Sequence, residues 1–174
     1  MRFLISGASG WIGFELTRYL QVLYGKENLQ LLIVPRNSHD KEKKRRLSLF
    51  EQNFDILEKD ILEDNIATNE IKPFDVFFHL AAFTATEIKT TRFSVNDKGT
   101  EKLLNALRPL LKGKRVVYTG SIASLDRSGP DNFPLTEEHP CQPRTLYGLT
   151  KLNGELIIKK LANDYGFEWT ILRI

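Results

Sequence analysis

The sequence predicts an α/β fold, a doubly wound parallel sheet with helices on both faces. Two observations predict it. Short apolar runs alternate with helix-spaced apolar stripes along the whole chain, and the first run leads directly into a glycine-rich turn and a helix. The chain has 174 residues, of which 41% are hydrophobic and 27% charged, the size and composition of one globular domain. We therefore expect a single domain over residues 1–174.

The first part of the chain predicts a strand–helix–strand unit. Residues 2–6 form a short apolar run that ends at Gly7, and apolar side chains then recur at helical spacing until Gly25. Residues 31–34 are an unbroken apolar run, which is typical of a parallel strand buried on both faces. The apolar residues of the predicted helix are Ile12, Leu16, Leu20 and Leu23.

The rest of the chain continues this alternation. A leucine stripe predicts a helix that ends before Gly113, and a longer helical pattern is closed by Gly166. The remaining predicted strands are 54–57, 76–80, 115–119 and 169–172, and the remaining predicted helices are 103–111 and 145–165. In such a sheet, ligands bind outside the carboxyl ends of the strands.

Charge and hydropathy argue against two classes of partner. Lysine and arginine number 25 against 22 acidic residues, and the net charge of +3 is too small to indicate a nucleic-acid partner. The sequence also contains one dense run of basic residues, and such runs typically form a solvent-exposed loop or helix face. No apolar stretch reaches the roughly 18 residues of a membrane span, so we expect no membrane partner. The basic run comprises Lys41, Lys43, Lys44, Arg45 and Arg46.

Three single residues bear on the setting of the protein. The lone Cys141 forms no internal disulfide and supplies no metal cluster, so we expect a cytoplasmic, reducing location and no metal site. His79 ends an apolar strand without a second ligand at metal spacing, which predicts a core histidine satisfied by hydrogen bonds. The chain stops at Ile174, in or just past an apolar strand, and we therefore expect that it is truncated.

The segment from Gly7 to Gly13, with sequence GASGWIG, lies between the first strand and the first helix. Backbone N–H groups and the helix dipole converge on a phosphate at such a position. A plain tight turn, whose last glycine packs helix on strand, is the alternative explanation. The strand–helix–strand setting favours dinucleotide binding. The predicted contacts are Gly7, Ser9, Gly10, Trp11, Ile12 and Gly13.

The end of the second predicted strand indicates which dinucleotide binds. An acidic residue there would hold the ribose 2′-hydroxyl of NAD, but residues 34–38 contain none. Arg36 instead offers a guanidinium fork that suits a 2′-phosphate. NADP is therefore favoured over NAD, the alternative being an exposed Arg36 that binds no ligand.

Tyr147 and Lys151 lie four residues apart in the last predicted helix and therefore on the same face. The free phenol has a pKa near 10, so a role as base at neutral pH requires a lowering by about 3 units, or about 4 kcal/mol. The Lys151 ammonium favours the phenolate. The pair therefore predicts an acid–base site, whereas a surface tyrosine is the alternative for Tyr147.

These motifs resemble, in order, those of the NAD-dependent epimerase/dehydratase family, the extended branch of the short-chain dehydrogenase/reductase superfamily. Residues 6–13 are similar to its TGATGFIG signature, and residues 136–151 to its segment from DExxP to YxxxK. The fold implied is a Rossmann-type sheet. Further similarities are Asp60-Ile61, the HLAA motif of residues 79–82, and Asn96 of the NxxGT motif.

The resemblance implies site residues. The adenine would contact Asp60 and Ile61, and Lys151 would also bind the nicotinamide ribose. Ser121 matches the family's catalytic Ser or Thr and would orient the reacting oxygen, while Tyr147 moves the proton. The alternative for Ser121 is a strand-end hydroxyl bonded to backbone. Further cofactor contacts implied are Leu80, Ala81, Ala82 and Asn96.

The sequence departs from the family pattern at two places, and the subfamily therefore stays unassigned. Gly120 replaces a common serine, and Ser124-Leu125 stands where many members have Tyr-Gly. The resemblance implies an NAD(P)-dependent oxidoreductase, epimerase or dehydratase acting on a hydroxyl or carbonyl of a small substrate, such as a nucleotide sugar. It also implies a homodimer formed through residues 97–111 and 145–165, and a further substrate domain. A non-catalytic NADP-binding sensor or interaction module is the alternative function.

Overall fold

The computed structural model describes residues 1–34, 41–50, 54–84, 91–125 and 134–174. They form one six-stranded parallel sheet with the order β3-β2-β1-β4-β5-β6. The predicted fold class is confirmed. The strands are β1 (Phe3–Ser6), β2 (Leu29–Ile33), β3 (Asp55–Glu58), β4 (Val76–His79), β5 (Arg115–Gly120) and β6 (Glu168–Arg173), and the helices are α1 (Trp11–Tyr24), α2 (Lys41–Phe50), α3 (Lys98–Leu111) and α4 (Leu146–Tyr165).

The strand order reverses at β1, which pairs with β2 on one side and β4 on the other. A doubly wound sheet opens a crevice at this reversal, outside the carboxyl ends of the strands. β2 starts at Leu29, two residues before the predicted start, because Leu29 pairs with Phe3 of β1. The basic run, predicted as a loop or helix face, is helical and lies in the first six residues of α2.

Two hydrophobic cores lie on the two faces of the sheet because side chains alternate along β1. Leu4 belongs to the core that α3 and α4 cover, where Leu103, Leu107 and Ile158 are fully buried. Phe3 and Ile5 belong to the core that α1 and α2 cover. The alternating apolar side chains of this four-residue strand therefore provide a surface on each face of the sheet against which helices pack.

A hydrogen-bonded chain of buried polar groups crosses the first of these cores. The Thr100 hydroxyl donates to the carbonyl of Asn96 at 2.9 Å, so it can only accept from His79 Nε2, which lies 2.9 Å away. His79 Nδ1 then accepts from the Ser6 hydroxyl at 2.7 Å. Burial and the nearby Lys151 ammonium lower the pKa of His79 to about 3. The prediction of a satisfied core histidine is confirmed.

This histidine makes the stability of the fold depend on pH. Unfolded His79 binds a proton below its ordinary pKa of 6.5, whereas the folded imidazole does so only near pH 3. Stability contributed by neutral His79 is therefore present above pH 6.5 and lost as the pH falls toward 3. We expect His79 alone to cost about 2 kcal/mol at pH 5 relative to pH 8. Urea unfolding at several pH values measures this loss.

His79→Gln and His79→Asn should remove this part of the pH dependence whatever their effect on stability at pH 8. An equal slope between pH 8 and 5 in wild type and both His79 variants would contradict the assignment.

Candidate cofactor and active site

The glycine loop joins β1 to α1 through close backbone contacts. Gly7 has a φ of +74°, and a Cβ on it would lie 2.6 Å from the Ala81 nitrogen. A Cβ on Gly13 would lie 2.3 Å from the Gly7 carbonyl oxygen. These two glycines are required by the fold itself, because any side chain would separate the loop from β4 or the helix from the loop.

Gly10 differs from the other two glycines. It is exposed, has an ordinary φ of −70°, and a Cβ there would meet only the Gly7 oxygen, at 3.2 Å. Its amide donates to that same oxygen at 2.9 Å, and no side chain among the described residues caps the start of α1. A tight turn explains Gly7 and Gly13, but it does not explain an exposed glycine with an ordinary φ at a helix N-terminus.

A cleft of about 770 Å³ opens at the carboxyl ends of β1 to β4. It brings together eight of the residues predicted to contact the cofactor, which come from three separate segments. These are Gly7, Ser9, Gly10, Asp60, Ile61, Leu80, Ala81 and Ala82.

The other predicted cofactor residues lie elsewhere. Trp11 and Ile12 start α1 with side chains that are 79% and 51% exposed, on the outer surface rather than in the cleft lining. Gly13 is buried beneath the loop, and Asn96 and Lys151 are buried behind the cleft. Arg36, on which the NADP prediction rests, lies outside the described residues.

Asp60 is tied to its surroundings by ionic and backbone contacts. Its carboxylate accepts from the Leu62 amide at 2.9 Å and from the Arg92 guanidinium at 2.6 Å. Burial acts to raise the pKa of Asp60, but these two partners outweigh it and hold the pKa below its ordinary value. Asp60 is thus an anion at neutral pH whose position at the cleft is set by its own loop.

Three cations line the cleft, Arg46, Lys59 and Arg92, and none of them was predicted from the sequence as a site residue. Arg92 reaches Asp60 from a residue 32 positions away. Arg46 belongs to the basic run that predicted a solvated face, yet its Nε donates to the Ser9 carbonyl at 2.9 Å. The only sequence signal for Arg46 was that basic run, which does not distinguish it from its neighbours.

Both polar atoms of the Asn96 side chain hydrogen-bond to other groups of the protein. Its amide oxygen accepts from the Phe83 N–H at 2.8 Å, and its amide nitrogen donates to the Phe83 carbonyl and to the Thr150 hydroxyl, each at 3.1 Å. The side chain is fully buried. Asn96 therefore fastens the segment that follows β4 to α4.

Lys151 is 1% exposed, and its ammonium has no hydrogen-bond partner among the described residues. The Nζ atom lies 4.3 Å from the centre of the Tyr118 ring, a cation–π contact. Burial lowers the pKa of Lys151 to about 8, although the Glu155 carboxylate one turn further along α4 acts against this. A desolvated and unpartnered ammonium is costly unless a further group hydrogen-bonds to it.

Tyr147 and Ser121 lie in two turns that pack together. The Thr145 hydroxyl accepts from the Gly148 amide at 3.0 Å and caps α4, which puts Tyr147 in the first turn of the helix. A Cβ on Gly148 would lie 2.1 Å from the Ala123 carbonyl oxygen, so glycine allows this turn to rest against the one after Ser121. Tyr147 is half-buried.

The Ser121 hydroxyl bonds to backbone. It donates to the Ile174 carbonyl at 3.3 Å and accepts from the Ala123 amide at 3.2 Å. This is the arrangement that sequence analysis gave as the alternative for Ser121. The hydroxyl nevertheless stands at the carboxyl end of β5, on the same edge of the sheet as the cleft.

The departure at Gly120 has a structural reason. A Cβ on Gly120 would lie 2.5 Å from Oε1 of Glu155, whose carboxylate is 1% exposed. Arg173 donates to both Glu155 oxygens, at 2.8 to 3.1 Å. Glycine thus makes room beneath β5 for a buried ion pair that sequence analysis missed.

Within the described ranges, no three His, Cys, Asp or Glu side chains are grouped so that they could hold a metal ion. No helix in this part of the chain is both long and apolar enough to cross a membrane.

Comparison with known proteins agrees with the order of the motifs. The family model described as "NAD dependent epimerase/dehydratase family" matches residues 3–174. A UDP-glucose 4-epimerase of Mycolicibacterium smegmatis is 31% identical over 177 residues, covering 97% of this chain and 53% of that relative. A putative UDP-glucose 4-epimerase of Methanocaldococcus jannaschii is 28% identical, covering 98% of this chain and 54% of the relative.

Solved structures share the fold. The UDP-glucuronic acid 4-epimerase of Bacillus cereus in complex with NAD superposes with a TM-score of 0.80 at 23% identity, over 99% of this chain and 56% of its own. An L-threonine dehydrogenase of Phytophthora infestans gives 0.73 at 23% identity, over 99% of this chain and 53% of its own. The chain spans about half the length of these relatives. Since the family model matches nearly every residue, the chain belongs to the NAD-dependent epimerase/dehydratase family.

Proposed function

We propose that residues 1–174 are the cofactor-binding domain of an NAD(P)-dependent enzyme that acts on a hydroxyl or carbonyl group of a small substrate. The observation that carries this proposal is the cleft at the carboxyl edge of the sheet, which gathers eight predicted contacts around an uncapped helix N-terminus. The dimensions and lining suit an elongated ligand with a phosphate at the glycine loop.

In this proposal the chain binds the dinucleotide through backbone and charge. The amides that open α1 hydrogen-bond the diphosphate, and Gly10 allows it to approach closely. Asp60 and Ile61 contact the adenine, while Leu80, Ala81 and Ala82 form the wall on the β4 side. When bound, the nicotinamide cofactor supplies hydride transfer.

Lys151 is the residue that tunes the proposed chemistry. With a pKa of about 8, the side chain is roughly nine-tenths protonated at pH 7. Its ammonium is unpartnered within the described part of the protein. It is therefore available to hydrogen-bond ribose hydroxyls and, one turn from Tyr147, to favour the phenolate.

Tyr147 then gives or takes the proton at the substrate oxygen, and Ser121 orients that oxygen. The Ser121 bond to the Ile174 carbonyl is 3.3 Å long, beyond the usual range for a hydroxyl donor, so exchanging it for a substrate oxygen costs little. Serine, tyrosine and lysine together provide a donor, a proton carrier and a fixed positive charge.

The substrate class proposed is a nucleotide sugar. The support is the naming of two sequence relatives as UDP-glucose 4-epimerases. The fold alone does not select a substrate, since both a UDP-glucuronic acid 4-epimerase and an L-threonine dehydrogenase share it. We also propose a homodimer formed through α3 and α4 and a cytoplasmic location, the latter because the single Cys141 suits a reducing compartment.

The cofactor proposed is NADP in preference to NAD. The family is NAD-dependent by description, and solved neighbours hold NAD. The preference rests on Arg36 of the sequence, at a strand end where an NAD site would carry a carboxylate.

Replacing Gly10 tests the glycine loop. Gly10→Leu should still fold, with some loss of stability, because its Cβ meets a single atom within 4 Å, the Gly7 oxygen at 3.2 Å, which must shift by a few tenths of an ångström. It should nevertheless abolish NADPH binding, since the side chain occupies the phosphate approach. Cofactor fluorescence titration and thermal unfolding measure both effects. The control is Glu15→Leu, on the exposed face of α1; unchanged NADPH affinity in Gly10→Leu would remove the loop from the site.

Replacing Tyr147 tests the proton carrier. In the full-length protein with a substrate that the wild type accepts, Tyr147→Phe should lower kcat about 100-fold or more while cofactor affinity stays near wild type. Tyr165→Phe, at the other end of α4, is the control and should keep full turnover. Full turnover in Tyr147→Phe would show that another group moves the proton.

Replacing Arg36 tests cofactor choice. A charge-assisted contact to the 2′-phosphate is worth about 1.5 to 3 kcal/mol, or roughly ten- to a hundredfold in affinity. Arg36→Asp should therefore reverse the preference toward NADH. Parallel titrations with NADPH and NADH at two salt concentrations measure it. Equal affinities in the wild type, or tighter NADH binding, would mean that the cofactor is NAD.

A further inference from the structure

We propose that Arg46 of α2 forms an anion subsite of the cleft that binds a phosphate monoester on the adenosine ribose, and so selects NADP over NAD. This inference rests on the proposed dinucleotide site. It adds to Arg36 a second residue that comes from a different element, and it gives the basic helix a role in cofactor choice.

Arg46 lines the cleft together with the glycine loop and the end of β2. It shares the lining with Ser9 and Gly10 of the glycine loop and with Val34, which directly follows β2. In a dinucleotide-binding strand–helix–strand unit, the end of the second strand is where the adenosine 2′ position is recognised. Arg46 thus lines the same cleft as the glycine loop and the residue that follows β2.

A hydrogen bond holds the Arg46 side chain there. Its Nε donates to the Ser9 carbonyl at 2.9 Å. An arginine has five N–H donors, so this bond leaves the four donors of the two terminal nitrogens for a ligand. Because the head group is already held against the loop, it loses less side-chain freedom on binding an anion than a free surface arginine would.

No carboxylate among the described residues neutralises the charge of Arg46. Three cations line the cleft, and Lys59 pairs with Glu70 at 3.1 Å while Arg92 pairs with Asp60 at 2.6 Å. Within the described residues, Arg46 bonds to a neutral carbonyl and has no carboxylate partner. It is therefore the cation of the lining whose attraction for an anion is least opposed.

Packing distinguishes Arg46 from the rest of the basic run. Leu47 and Phe50 anchor α2 in the core, each 2% exposed, so the backbone under Arg46 is fixed. The adjacent Arg45 has a side chain that is 76% exposed, lies 3.7 Å from Glu42, and does not line the cleft. Two consecutive arginines on one helix thus have different surroundings, which supplies a matched control.

The experiment compares Arg46→Met with Arg45→Met. Both remove one positive charge from α2 and keep an unbranched side chain. Fluorescence titrations with NADPH and NADH, which differ only in the 2′-phosphate, are run at low and at physiological salt, with thermal unfolding as the check on folding. Arg46→Met should lose about ten- to a hundredfold in NADPH affinity and keep its NADH affinity. Arg45→Met should change both affinities by less than about threefold at physiological salt, because an exposed charge is screened.

Several outcomes overturn the inference. Equal losses for NADPH and NADH in Arg46→Met would mean that Arg46 acts by holding the glycine loop through Ser9 and not by binding the phosphate. Unchanged affinities in Arg46→Met would exclude contact altogether. Wild-type protein that binds both cofactors equally would overturn this subsite and the NADP preference but leave the proposed dinucleotide site standing, whereas wild-type protein that binds neither would overturn the proposed function as well.

Discussion

The close approach of two backbones at the carboxyl edge of the sheet is the constraint on which the site depends. Gly7 lies against Ala81, and Gly13 lies against Gly7, at distances that no side chain permits. The glycine loop is therefore locked to the end of β4. In the same place the Ser6 hydroxyl, which meets the Ala81 amide at 3.4 Å, extends the contact into the core through His79. One edge thus positions both the candidate phosphate loop and the wall of the cleft.

The buried polar chain carries this constraint across to α4. From His79 it passes through Thr100 to the Asn96 backbone, and the Asn96 side chain then binds Phe83 and Thr150. Elements far apart in sequence are fixed by groups that each have a partner, which is the condition for a buried polar network to stabilise a fold. The helix that carries Tyr147 and Lys151 is consequently held in register with the cleft.

The buried groups around His79 carry little compensating charge, because the imidazole itself is neutral. The imidazole is uncharged because it is buried and because Lys151 lies near it. Lys151 in turn has an aromatic face, that of Tyr118, where another buried lysine would have a carboxylate. The only nearby carboxylate on its helix, Glu155, is held by Arg173. The ammonium thus has no hydrogen-bond partner among the described residues, as expected of a group reserved for a ligand.

Local patterns in the sequence predicted the strands, three of the four helices and the glycine turn, because apolar periodicity and turn chemistry act between residues close in the chain. The resemblance to a family then indicated which residues gather at the cleft. Tertiary structure alone decided the contacts across the chain: Arg92 with Asp60, Arg46 with Ser9, and Arg173 with Glu155. These contacts join residues 32, 37 and 18 positions apart. Whether a charged side chain faces water, a carboxylate or the cleft depends on how the elements pack, and no local pattern encodes that.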